Sequence, residues 1–140
     1  MSQSAIQGSA TSTSTTGWLP LLGRLLLALI FIMSGVSKVF APGPTQAYIA
    51  SAGLPLPLLG YVVALVVEIG GGVLLLIGYR TREAALALAL FSVAAALGFH
   101  NNFADQNQMI HFLKNLALAG GLLQVVAFGA GSLSLDGRRK

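Results

Sequence analysis

The residues able to do chemistry in this chain are few, and most lie inside apolar runs. Glu68 sits near the centre of Val62 to Gly78, VVALVVEIGGGVLLLIG, and Gly70, Gly71 and Gly72 follow it. Arg24 and Lys38 interrupt a second run; His100 and Asn101 close a third; His111, Lys114, Asn115 and Gln124 stud a fourth. In hydrocarbon a carboxylate finds no partner, so Glu68 must face protein or water, and an intramembrane acid is by default a ligand-binding, proton-handling or ion-pairing group. Lys, Asn and His side chains can donate to carbonyl oxygens, and an acid among them can relay a proton. Small glycine faces let a second backbone, or a flat ligand, come close.

Four helices have to carry these groups. The run around Glu68 is roughly 22 residues with its flanks, enough at about 1.5 Å per residue to cross a hydrocarbon core. The acid costs roughly 2.5 to 3.5 kcal/mol on the insertion scale, which its Leu, Ile and Val neighbours recover at about 0.3 to 0.6 each. The spacing predicts spans over 19–40, 58–79, 83–103 and 109–129, giving an all-α, integral-membrane four-helix bundle over 18–131. A disordered Ser/Thr-rich tail is expected over 1–17 and a basic tail over 132–140. On the first span Arg24, Ala28, Phe31, Gly35 and Lys38 share one face, which should turn to the bundle interior. The Pro-bracketed connector before the second span has room for about two turns of helix on the interface, with Tyr48 as an anchor.

Composition points the same way. A chain of 140 residues that is 55% hydrophobic and 9% charged, with mean hydropathy +0.80, is too apolar to fold as a water-soluble domain. The net charge of +4 is scattered and terminal rather than a stripe interleaved with aromatics, which argues against nucleic acid and for a topology signal. Arg80, Arg82, Arg138, Arg139 and Lys140 share one side of the membrane with both termini, against Asp105 and Lys38 opposite, so the termini are expected in the cytoplasm. Anionic-lipid contact by the terminal cluster would come as an extra. There is no cysteine, which excludes disulfides, iron–sulfur clusters, thiolate zinc and CxxC relays within this chain. His100 and His111 lack a third ligand at metal spacing, so no metal site is expected. The glycine run has neither the preceding strand nor the following lysine of a phosphate loop and reads first as a packing notch.

Counted from the helix ends, Lys38, His100, Asn101, His111, Lys114 and Asn115 lie in one half of the membrane, Glu68 near the middle, and Arg24 with Gln124 toward the other side. Lys114, Lys38 and Arg24 are the candidate partners of Glu68, and Lys114 is the first choice by depth.

The segments LGRLLLALIFIMSGVSKVF, AGLPLP, EIGGGVLLLIGYRT and IHFLKNLALAGGLL, in that order between about Leu21 and Val126, resemble the DoxX family of small four-helix bacterial inner-membrane proteins. The family pattern falls on Arg24, Gly35, Lys38, Gly53 to Pro55, Glu68, Gly71, Gly72, Gly78, Lys114, Asn115, Gly120 and Gly121. Relatives in that family include the membrane subunit of a thiosulfate:quinone oxidoreductase, and others resemble partners of redox enzymes. The resemblance therefore implies an inner-membrane component of a redox system with no intrinsic cofactor. In it Glu68 and Lys114 would be the catalytic pair, and Arg24, Lys38, His100, Asn101, Asn115, Gly71 and Gly72 would bind a quinone. Electrons would come from a protein partner, and homo-oligomerisation is left open. Two alternatives stand beside it. One is a non-catalytic scaffold or assembly factor for a redox enzyme; the other, less favoured, is a small proton-coupled exporter built on the lone intramembrane acid.

Overall fold

The computed structural model describes residues 17–140, so the tail expected over 1–17 lies almost wholly outside the described residues. All the regular structure in those residues is helical, with no strand among them. The elements are α1 (Trp18–Val39), α2 (Pro42–Ser51), α3 (Pro57–Ile77), α4 (Thr81–Phe99), α5 (Gln106–Phe128) and α6 (Leu135–Arg138). Four of them, α1, α3, α4 and α5, are long and apolar enough to cross a membrane. Each boundary falls within a few residues of the predicted span, except that the third helix stops at Phe99, four residues short, and the fourth starts at Gln106. Asp105 causes the early start: its carboxylate accepts from the N–H groups of Asn107 and Gln108 at 2.8 and 3.3 Å and caps α5.

The bundle is apolar outside and small inside. Leu26, Leu29, Met33, Leu58, Val66, Leu90 and Leu97 are exposed, as lipid-facing residues must be. The core is built from Ala28, Phe31, Leu75, Ala85, Leu88, Ala89, Ala119 and Leu122. Lipid tails compete with any apolar contact, so such helices associate through close packing, which small residues permit. The predicted α1 stripe holds: Arg24, Ala28, Phe31 and Gly35 are its buried residues. Contacts are densest between α4 and α5 and between α1 and α3, whereas the α1–α5 seam is sparse.

Three local features set the site. The middle of α3, Val66–Gly71, is π-helical and carries Glu68; an extra residue per turn inside an α-helix re-aims side chains and often marks function. The α3–α4 turn is tight, with Gly78 at φ 70° and Arg80 at φ 45°. The connector helix α2 exists as expected, but Tyr48 stacks on Phe99 at 5.2 Å and so ties α2 to the end of α4.

Candidate functional site

Glu68 is answered by Lys38, not by Lys114. The Lys38 Nζ donates to Glu68 Oε1 at 3.0 Å and lies 2.9 Å from Oε2, close enough for charge attraction but without the alignment of a hydrogen bond to that second oxygen. Ser34, one turn before Lys38, completes the cluster. Its hydroxyl donates to Glu68 Oε1 at 2.9 Å and accepts from Lys38 Nζ at 2.7 Å. The Tyr61 hydroxyl donates to the Lys38 carbonyl at 3.1 Å and pins the end of α1 to α3. Glu68 is only 4% exposed, and the Lys38 side chain is 25% exposed. The cluster is thus a sealed carboxylate behind a cation that can be reached. Lys114 is exposed on α5 and pairs with no acid among the described residues. Depth alone favoured it, but α3 packs on α1 and α4, and the π turn directs Glu68 toward α1.

Arg24 is not a partner of Glu68 either. It is 1% exposed, and every one of its hydrogen bonds goes to the main chain: Nη1 to the carbonyls of Leu75 and Leu76 at 2.8 and 3.0 Å, Nε to Ala130 at 3.0 Å and Nη2 to Leu133 at 2.6 Å. A guanidinium presents its donors in a planar fork, which suits several carbonyls around one point. These are the orphan carbonyls at the end of α3 and in the segment after α5, so Arg24 ties three chain segments together at a place where lipid would leave them unsatisfied.

The expected polar column is instead divided into separate clusters. At the end of the bundle that holds the C-terminus of α4, His100 Nδ1 lies 2.9 Å from Gln108 Oε1, and the His100 and His111 rings stack at 5.1 Å. Asn101 and Asn115 donate back to the carbonyls of Leu97 and His111 within their own neighbourhoods. No group of three or more His, Cys, Asp or Glu able to hold a metal occurs among the described residues. Gly71 and Gly72 are packed, not open. A Cβ at Gly71 would lie 3.0 Å from Leu88 Cγ, and one at Gly72 would lie 2.8 Å from Ile32 Cγ1. They serve as the notch by which α3 meets α4 and α1, which leaves no floor for a ligand.

One part of the structure had no counterpart in the sequence reading. Asp136, in α6, reaches the start of α4, where Oδ2 accepts from the Thr81 N–H at 2.9 Å and its hydroxyl at 2.7 Å and Oδ1 accepts from the Arg80 N–H at 3.0 Å. Helix α4 has no cap of its own, so Asp136 caps it from a distant segment and offsets the strain of left-handed Arg80. Burial pushes the Asp136 carboxyl up, but the Thr81 and Arg80 donors together with the charge of Arg139 outweigh that and hold it below the usual aspartate range. The only signal available was a Ser-x-Asp pattern, Ser134 and Asp136, after the last span.

Two open cavities, of about 590 and 520 Å³, lie at the Arg80 end. Neither is lined by Glu68, Lys38, Lys114, His100, Asn101 or Asn115; of the predicted site residues only Arg24 touches one.

Comparison with known proteins places the fold among relatives. The DoxX family model matches residues 19–101. The chain is 37% identical to the inner membrane protein YqjF of Escherichia coli over 118 residues, covering 83% of this chain and 88% of that protein. It is 34% identical to the inner membrane protein YphA of the same organism, covering 84% and 88%. A more distant likeness, at 30% identity, is to the ER-derived vesicles protein ERV29 of Saccharomyces cerevisiae, of which the matched region is 34%. No solved structure matches.

Proposed function

The chain belongs to the DoxX family, and from that membership and the Ser34–Lys38–Glu68 cluster we propose that it is the inner-membrane component of a redox system, docking a quinone headgroup at Lys38 and working with a partner oxidoreductase. The observation that carries this reading is the pairing of a sealed acid with a reachable cation inside the membrane, on a π turn.

The residues suit a carbonyl acceptor. A quinone, when bound, takes up two electrons from the partner and two protons on its oxygens. Lys38 Nζ, already held by Ser34 and Glu68, has a further N–H to donate to such an oxygen. Glu68 fixes the position of that ammonium, which its two carboxylate oxygens hold at 3.0 and 2.9 Å. The Ser34 hydroxyl bridges the two and gives a path of short hydrogen bonds between them. The Lys38 side chain is a quarter exposed, so a headgroup can reach its ammonium from outside the bundle.

The test is the quinone content of protein purified in mild detergent. Wild type should retain quinone, and Lys38→Met and Glu68→Gln should lose it while keeping their helical content. A wild type without quinone that carries a stoichiometric protein partner, unchanged in both variants, would overturn the docking role and favour the scaffold reading. That second reading draws on Arg24, whose hydrogen bonds are all spent on architecture. The exporter reading loses ground because Lys38 already neutralises the acid that a cationic substrate would need.

A further inference from the structure

The two cavities at the Arg80 end are adjoining, since both are lined by Phe128, Gly129 and Gly131. They differ in chemistry. The first lies beyond the helix ends and is lined by Arg80, Arg82 and Lys140, with Glu83 and Asp136 as the acids. Asp136 is committed to the amides of Arg80 and Thr81, and Glu83 sits 3.5 Å from Arg80. Arg82 has no carboxylate within ion-pair distance among the described residues, and its guanidinium lies against Gly129, 3.4 Å from where a Cβ there would stand. The cavity therefore presents a guanidinium without an ion-pair partner among the described residues, beside Lys140, just beyond the ends of the spanning helices.

The second cavity runs into the sparse α1–α5 seam, lined by Pro20, Gly23, Leu26, Leu27, Gly121 and Val125. Two glycines open it: a Cβ at Gly23 would meet nothing within 4 Å, and one at Gly121 would meet only Leu27 at 3.5 Å. Leu26 and Phe128 on its rim are exposed. A mostly apolar groove between α1 and α5, adjoining a basic cavity beyond the helix ends, suits an acyl chain joined to a phosphate.

We propose that these cavities form one binding site for an anionic phospholipid, its phosphate on Arg82 and Lys140 and an acyl chain in the groove between α1 and α5. Charge complementarity selects an anionic headgroup, and the apolar groove adjoining it at Phe128 and Gly129 selects a lipid over a free phosphate. A lipid seated there fills the sparsest seam of the bundle and covers the Arg24 anchor beneath it, which also lines the groove. The site is separate from Lys38 and Glu68, and its standing does not depend on their role.

The experiment is native mass spectrometry of the full chain in mild detergent, titrated with phosphatidylglycerol, phosphatidylcholine and inorganic phosphate in parallel. One phosphatidylglycerol should be retained in preference to phosphatidylcholine, and phosphate alone should not bind. Arg82→Gln should weaken retention roughly five- to tenfold, as expected for a basic contact near a membrane surface. Gly23→Leu, which fills the groove from open space, should also weaken it while leaving helical content and melting temperature intact. Equal retention of the two lipids, binding of phosphate at the same affinity, or a loss in Arg82→Gln that Gly23→Leu does not share would each overturn the two-part site.

Discussion

Lys38 and Glu68 are thirty positions apart in sequence, yet their charged atoms meet at 2.9 Å, and the two differ in access: the lysine is a quarter exposed and the acid is sealed. The pair is therefore asymmetric. Removing the lysine strands a buried carboxylate, whereas removing the acid leaves an ammonium that can shift toward the interface on its flexible stem. Lys38→Met should cost about 3 to 5 kcal/mol, the range for breaking a buried ion pair. Glu68→Gln should cost clearly less, and the double variant less than the sum of the two. Thermal melts of the four proteins in one detergent close this cycle; equal losses in both single variants would show that access makes no difference.

Arg24 should tolerate no replacement. Lysine keeps the charge but cannot satisfy four carbonyls on two segments at once. Arg24→Lys should lose about 2 to 4 kcal/mol and Arg24→Met at least as much, because each buried acceptor left unpaired costs about 1 to 3 kcal/mol. The loss should be read as a lower melting temperature with early exchange of the amides after Phe128.

Glycines on the same helix should differ in sign. A Cβ at Gly72 would press on Ile32, a stiff β-branched side chain, at 2.8 Å. Gly72→Ala should therefore destabilise by about 1 to 3 kcal/mol through overpacking. Gly70, two residues earlier, has nothing within 4 Å of a Cβ. Gly70→Ala should be neutral or stabilising by up to about 1 kcal/mol, since alanine is the better helix former. Melting temperatures of the two variants decide this directly.

The clamp of α6 on α4 should depend on acidity. The native Asp136 carboxyl is held below its unfolded value, so the stability it contributes is complete above that value, about 3.9, and is lost as pH falls through the native one. Protection of the Arg80 and Thr81 amides from exchange should be flat from neutral pH to about 5 and decline below about 4. Asp136→Ala should remove the protection at every pH and flatten the profile.

The parts of the fold set by local composition were legible before any contact was known. Runs such as Leu58 to Tyr79 declare a span because length and apolarity alone decide partition into a bilayer. The α1 stripe from Arg24 to Gly35 declared its burial because helical periodicity places those residues on one face. The site was legible only as an inventory. Counting residues put Lys114 first by depth, but it cannot say which helix lies beside Glu68. Ser34 gave no sign of its role, because a serine one turn before a lysine is unremarkable until a carboxylate arrives opposite. Asp136 was read as part of a basic tail, since its partners are amides, which carry no sequence signature.

The sequence by itself determined that this chain crosses a membrane as four helices, and that an acid within it requires protein around it, because hydrocarbon solvates neither charge nor free backbone. Only the tertiary structure decided that Lys38 and Ser34 supply that protein, that Arg24 is an anchor for carbonyls, and that the basic cavity adjoins the α1–α5 groove. The physical reason is that partition into lipid depends on each segment's own composition, whereas partner choice depends on which helices pack together and how a π turn rotates Glu68 toward one of them.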